Sequence, residues 1–556
     1  MIKNKATYFI LLLIIVFTGC VKTSEKYPLE RWDEEVVFDP TDSAGINARA
    51  FLANIYSGLP NHYAGVNNST ILSEIGTDDA AYRFLNSAPE NMINGRWSAW
   101  NLPDNVWNAN YAGIRKVNLF LNKIDIVPIK EKGLISRMKG EARFLRAMFY
   151  FELVKRWGGV PLIGDRVLEM NEDLKLSRNS YEDCVNYIVS ECDAIKNMVF
   201  LEKTPVTGEP LPGGMPDGEW GRVSRTAVMA LKSRTLLYAA SPLNNPANDI
   251  NKWRAAATAA KDIIDINYHT LLTDFTGLFI TRRTTETIFS FQTATSITME
   301  NNYSPIGYSP ANVVNRGIIN PSQNLVDAFP MKNGKAITEA GSGYDAQNPY
   351  NNRDPRLDAT VFRNNTAWLG RPAAIYEGGV DLGKDGSRTG YYLKKFLGKF
   401  STGTTYAAQH HSPIIFRYAE ILLNYAEALN EVNNGPTAEA FNAVDLIRQR
   451  AGLVPYQVDR SLGYAAFKKL VQNERRIELA FEGHRIWDIR RWNIGTALNG
   501  QPLKGIRIVK NADNSFSYFY DVTVLNMVYT EKMNRYPIPI AEIEKNKNLA
   551  QNPGWE

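Results

Sequence analysis

The stretch Gly140-Glu-Ala-Arg-Phe-Leu-Arg-Ala-Met-Phe-Tyr-Phe-Glu-Leu-Val-Lys-Arg-Trp157 constrains the fold more than any other part of the chain. Met138, Ala142, Leu145, Phe149 and Leu153 recur at spacings of three and four, which sets them on one face of a helix with 3.6 residues per turn. The pattern predicts an amphipathic helix over residues 134–157. Gly158-Gly159 stops it, and Val160-Pro-Leu-Ile163 leaves as an extended segment.

Residues 413–429 read as a second such helix, closed by Asn433-Asn434-Gly435-Pro436, after which Thr437 is placed to cap another running to Arg450. Alanines at 419, 426 and 428 let a neighbouring helix approach closely. Helix, short turn and helix, with Ala and Tyr at the contacts, is the pattern of tetratricopeptide-like pairs. Similar pairs are predicted at 105–124 with 134–157 and at 181–200 with 222–240. Between about 270 and 411 the character changes to Gly, Pro, Asn, Ser and Thr with scattered aromatics and short strand-like pieces such as Thr287-Ile-Phe-Ser-Phe291. This reads as a loop-rich insertion, where binding residues tend to sit on a rigid frame.

At the N-terminus Lys3 and Lys5 precede an apolar run over residues 8–17. That run is about half the length a membrane-spanning helix needs, so it reads as the core of a signal peptide. The junction Val16-Phe17-Thr18-Gly19-Cys20 resembles a bacterial lipobox, with Phe17 where Leu is usual. Cys20 is therefore the expected lipidation site, and residues 1–19 drop out of the fold. Cys184 and Cys192 fall about 12 Å apart along a predicted helix, too far for a disulfide. Stability must come from a large core, which 556 residues with 44% hydrophobic content supply. The net charge of +5 is dispersed, with no basic run to track a phosphate backbone, so nucleic-acid binding is not expected.

Several landmarks resemble the SusD/RagB family, in its order and along nearly the whole mature chain. Glu141-Ala-Arg-Phe-Leu-Arg-Ala147 with Trp157-Gly-Gly-Val-Pro-Leu162 looks like the family's helix and exit. The run from Asn473-Glu-Arg-Arg-Ile-Glu-Leu to Gly483-His-Arg-Ile-Trp-Asp-Ile-Arg-Arg-Trp492 looks like its "ERRxELxFEGxRxxDLRRW" block. Tyr536-Pro-Ile-Pro539 and Gln551-Asn-Pro-Gly-Trp555 look like its terminus, with Trp for the usual Tyr. The resemblance implies a mainly α protein in which tetratricopeptide-like pairs form a right-handed superhelical frame. It implies a N-terminal region over 20–269, the insertion over 270–411 and a C-terminal region over 412–556 that completes the frame. It also implies a surface lipoprotein of the outer membrane that binds a glycan and caps a SusC-like TonB-dependent transporter.

The block around Glu474 and Glu482 is dense in acids and bases. On a continuous helix Arg475 lies beside Glu478 and Glu482 beside Arg485, so the expected role is ion pairing and not paired-carboxylate catalysis. His62, His269, His410, His411 and His484 form no ligand spacing, and His410-His411 reads as solvated; no metal or cofactor is expected. No short nucleophile or phosphate-binding motif is present either.

Binding chemistry is better represented. A sugar ring stacks its C–H face on flat aromatics, while its hydroxyls seek Asn, Asp or Arg. Asp78-Asp79-Ala-Ala-Tyr82-Arg83 and Trp97-Ser-Ala-Trp100-Asn101 offer both. By resemblance this is the region where glycan-binding members place an arginine, a tryptophan and an asparagine. Arg83, Trp97 and Asn101 are thus the first candidates and Trp100 the alternate. The insertion adds Tyr303, Tyr308, Trp368 and Tyr376, with Trp368 foremost because its neighbours are polar. A core position is the competing reading for each tryptophan. Glycan capture without catalysis is the leading expectation. A peptide-binding member, a surface glycoside hydrolase and a helical-repeat adaptor are the alternatives.

Overall fold

A computed structural model describes residues 33–556 apart from 62–71, 86–87, 170–171, 173–174, 202–214, 216 and 309–313. The leader and Cys20 lie outside the described residues. The frame runs through α1 (Ile46–Tyr56), α2 (Trp107–Lys123), α3 (Leu134–Trp157), α4 (Tyr181–Ile195), α5 (Arg225–Ala240) and α6 (Ile250–Asp265). It continues through α7 (Tyr418–Val432), α8 (Ala438–Ala451), α9 (Tyr464–Glu478) and α10 (Arg485–Arg491). From α2 to α8 each helix packs on the next, and α9 also lies on α7.

The predicted caps form. Gly158 ends α3 at φ +75°, and a Cβ on Gly159 would stand 2.1 Å from the Asn179 carbonyl oxygen, so only glycine lets the chain pass there. The Thr437 side chain caps α8 by accepting from the Ala440 N–H, and the structure adds a reciprocal cap of α4 by Ser180 and Asp183 that the sequence reading does not single out.

Three expectations change. First, α3 is more than amphipathic: every residue from Phe144 to Val154 is buried, Arg146 and Glu152 included. It is the central helix, covered on all sides. Second, 413–429 opens as a strand. The β-branched Ile414 and Ile415 extend the chain to Arg417, and α7 starts only at Tyr418. Third, α6 joins the frame, burying Trp253, Ala256, Ala260 and Ile263 between α5 and α7.

Among the described residues the strands form five antiparallel pairs. These are β1 (Ala80–Tyr82) with β3 (Ile319–Pro321), β2 (Thr287–Ser290) with β8 (Ile414–Arg417), and β4 (Val361–Phe362) with β7 (Tyr392–Leu393). The short β5 (Ala367–Trp368) pairs with β6 (Arg371–Pro372), and the long β9 (Pro502–Lys510) with β10 (Phe516–Asn526). A second apolar core gathers Phe329, Leu357, Phe362, Tyr391, Tyr392 and Phe396 of the insertion with Tyr82 of β1, Ile477 and Phe481 at the end of α9, and Ile506 and Ile508 of β9.

Buried charge joins that core to the frame. α9 ends at Glu478, and Phe481 and Gly483 take positive φ values, so the i,i+3 pairs expected of an unbroken helix do not form. Glu478 instead meets Arg417 of β8 at 2.6 Å, Arg356 of the insertion at 2.9 Å, and Arg450 of α8. Glu482 is clasped by Arg417 through Nε at 2.7 Å and by Lys395 of the insertion at 2.7 Å. Arg475 pairs with Asp488 at 2.9 Å, and Arg485 with Asp78 at 2.9 Å. Burial drives the Glu478 carboxyl upward, but Arg450, Arg417 and Arg356 outweigh it and hold the group well below the ordinary 4.5. The stability it contributes is present above about pH 4.5 and is lost as pH falls below that, through its folded value. Glu478→Gln should cost about 3 to 5 kcal/mol at neutral pH, because three buried guanidinium groups lose their shared anion. Chemical denaturation at pH 7 and pH 4 checks this: the deficit is expected to shrink at the lower pH.

Candidate functional site

Strand β1 carries Arg83 to the surface. Its residues are buried on both faces, and the ladder continues past the strand with the Arg83 N–H donating to the Ile318 carbonyl at 3.0 Å. The guanidinium donates through Nε to the Asp385 carbonyl at 2.6 Å and through Nη1 to the Arg316 carbonyl. It also lies 5.1 Å from the centre of the Phe84 ring. Arg83 is therefore half-buried and ties β1 to two insertion loops. Beside it Phe84 and Leu85 are 42% and 67% exposed. No sequence signal marked Phe84, since an aromatic following a buried strand ordinarily reads as core.

Trp100 stands at the tip of a tight turn and is 76% exposed, more than any other aromatic side chain among the described residues. The turn beneath it is fixed by polar contacts. Ser98 Oγ accepts the Trp100 N–H at 3.3 Å and donates to Asn101 Oδ1 at 2.9 Å. Asn101 Nδ2 donates to the Arg96 carbonyl at 3.2 Å, and the Ala99 carbonyl accepts the Ile540 N–H at 3.1 Å. An indole held in solvent by a rigid backbone can stack a sugar face with little ordering of its own. Asn101 is exposed, but its amide is largely spent on shaping this turn.

Four candidates lie in the core. Trp97 is 4% exposed, its ring 4.7 Å from Trp555 and 5.2 Å from Tyr536, so the chain terminus covers it. Trp368 is 1% exposed: Phe362 at 5.0 Å and Phe400 at 5.5 Å enclose it, and its indole N–H donates to the Tyr406 hydroxyl at 3.2 Å. Its polar sequence neighbours misled because its packing partners come from distant chain segments. Tyr303 is buried in the insertion core. Tyr308 lies beneath the Arg371 guanidinium at 3.8 Å and donates its hydroxyl to the Arg371 carbonyl, so burial raises its phenol pKa. None of these rings can stack on a ligand without unpacking. His411 also departs from expectation: it is buried, 3.1 Å from Glu300.

Tyr376 is half-buried against Phe516 at 5.5 Å, where the insertion meets the β9–β10 hairpin. The same hairpin leaves Phe519 and Tyr520 39% and 38% exposed, with Arg507 stacked 4.2 Å from Phe519 and the Tyr520 hydroxyl 3.1 Å from that of Tyr344. Among the described residues the exposed aromatics therefore fall into three places: Phe84 beside Arg83, the Trp100 turn and the hairpin. Glu478 and Glu482, the densest carboxylates of the sequence, are buried under cations and cannot reach a substrate. Among the described residues no group of three His, Cys, Asp or Glu side chains is placed to hold a metal.

The family profile described as the SusD family matches residues 285–555, and the one described as starch-binding associating with outer membrane matches residues 31–207. The chain belongs to the SusD family. A SusD-like protein, P2, from Formosa agariphila is 24% identical to it, with both chains covered in full. A SusD-like protein of known structure from Bacteroides fragilis is 27% identical, covering 94% of this chain and 99% of its own, with a TM-score of 0.76. A SusD-like carbohydrate binding protein of the same species is 26% identical over 91% and 99%, with a TM-score of 0.74. The SusD-like sequence blocks have structural work here: Arg146 binds Glu191 at 3.0 Å, Arg491 binds Glu427 at 2.6 Å, and Trp555 seals Trp97.

Replacing Trp97 or Trp368 by Ala should each cost about 3 to 5 kcal/mol through the cavity left behind. Thermal melting of the two variants checks it, and an unchanged midpoint would mean the ring is not core.

Proposed function

We propose that this SusD-family chain is a non-catalytic surface lipoprotein that captures an oligosaccharide or polysaccharide and delivers it to a partner TonB-dependent transporter. The observation that carries the reading is the Trp100 indole, held in solvent on a turn that its own hydrogen bonds make rigid. Phe84, braced by Arg83, supplies a second ring face, and the hairpin aromatics with Tyr376 a third. The carbohydrate binding named for the B. fragilis relative, and the starch binding and outer-membrane association named for the matching profile, support the same reading. Among the described residues no helix is long and apolar enough to cross a membrane; attachment through a lipid on Cys20 is part of the same proposal, resting on the lipobox-like junction of the sequence. No observation favours the peptide-binding alternative.

Delivery requires modest affinity, with a Kd of roughly micromolar to millimolar, so that the ligand is handed on. Trp100→Ala should weaken retention in native gels containing the recognised polysaccharide by about tenfold or more, and Phe84→Ala by less, with melting temperatures unchanged. Chromatography of the incubated polysaccharide should show no shortened products. Shortened products would establish a hydrolase, and normal retention by both variants would remove Trp100 and Phe84 from the site.

A further inference from the structure

Glu74 and Asp79 flank the turn between the short helix Leu72–Ile75 and β1, and both are buried. Each has one oxygen supplied and one bare. Glu74 Oε1 accepts the Gly483 N–H at 2.9 Å, and Asp79 Oδ1 meets Arg476 through Nε at 2.7 Å and Nη2 at 2.6 Å. Glu74 Oε2 and Asp79 Oδ2 are buried and have no hydrogen-bond partner. Two cations serve this corner, Arg476 from α9 and Arg485 from α10, and both also contact Asp78, each at 2.9 Å. Lys395 of the insertion acts on Glu74 only at longer range, being bonded to Glu482 and to the Glu478 and Ala480 carbonyls. Three carboxylates thus face two committed guanidinium groups. The excess negative charge sits out of water, where the least costly remedy is to bind a proton.

We propose that a proton held on Glu74 relieves this crowding, so that its contact with Gly483 forms a proton-dependent latch between the segment leading into β1 and the Phe481–Gly483 turn. Glu74 is the natural holder. Burial first, and then the Asp79 charge, push its carboxyl up to about 8, whereas Arg476 and Arg485 overcome burial at Asp78 and hold that group low. Burial raises Asp79 as well. The latch lies just ahead of the strand that delivers Arg83, so its state bears on how firmly that surface is held.

The sign of the pH dependence follows. Above about pH 4.5 the unfolded chain releases a proton that the native Glu74 keeps, so the stability contributed by this group is full below 4.5 and is lost as pH rises toward 8. Glu74→Gln mimics the protonated carboxyl at every pH, since it is neutral and its carbonyl can accept from Gly483. Thermal melting of the full chain from pH 5 to 9 should give matching midpoints at pH 5 and a variant more stable by roughly 2 °C or more at pH 9. Lys155 also titrates near 8 but is present in both proteins and cancels in the difference, whereas Lys395, near 8 as well, acts on Glu74, so the assignment to Glu74 needs a second readout specific to a protonated carboxyl. Infrared spectroscopy of the wild type should show a protonated-carboxyl C=O band that disappears near pH 8 and is missing from the variant. Parallel melting curves, an infrared difference without that band, or failure of Glu74→Gln to fold at pH 5 would each overturn the proposal.

Discussion

The Glu478 carboxylate, sunk in the interior with three guanidinium groups around it, is the interaction on which the rest of the architecture depends. A buried anion is tolerable only if its lone pairs are filled by cations and those cations are themselves filled. The three arginines come from separate places: Arg450 from α8, Arg417 from β8 and Arg356 from the insertion. Arg417 and Arg450 share Glu286 beside β2, and Arg356 is completed by Asp354 and Glu474. The pairs of Arg356 with Glu474 and Glu478, and of Glu286 with Arg417 and Arg450, cross between insertion and frame and form only when the two are docked together. Apolar packing tolerates small slips, whereas bidentate charge pairs do not, so the network sets the register between the two cores.

Such a frame presents its loops in fixed positions, and that settles which aromatics can meet a ligand. Trp97 and Trp100 are three residues apart yet have opposite fates: one is closed under Trp555 and Tyr536, the other projects into solvent. The difference lies in the Ser98–Asn101 turn, whose internal hydrogen bonds reverse the chain between the two indoles. Arg83 follows the same logic. Two of its five N–H donors are spent on loop carbonyls, which fixes the guanidinium against the insertion and beside Phe84.

Local signals in the sequence carried most of the frame. The glycine stop of α3, the Thr437 cap and the helix pairs all follow from short-range chemistry. Those parts were legible because caps and periodicity act within a few residues. What was hidden depended on distant partners. β8 reads as helix until β2 is known to pair with it, and Trp368 reads as exposed until Phe362, Phe400 and Tyr406 arrive from elsewhere. The acid-rich block was rightly read as structural, but its pairs cross between elements because the chain turns at Phe481 and Gly483. Among the candidate site residues, Trp97 ranked first and is core, whereas Trp100, the alternate, is the exposed ring, because the turn between them depends on side-chain contacts that no periodicity reveals.

The account stands or falls on whether the buried charges couple the insertion to the frame. Hydrogen exchange followed by mass spectrometry on Arg417→Met tests this most directly, since the substitution leaves Glu478 and Glu482 short of cations without touching either apolar core. Coupling predicts that amides of the β4–β7 pair in the insertion and of α8 and α9 in the frame lose protection together, by a common factor. Faster exchange confined to β8 and its partner β2, with the insertion unchanged, would contradict it.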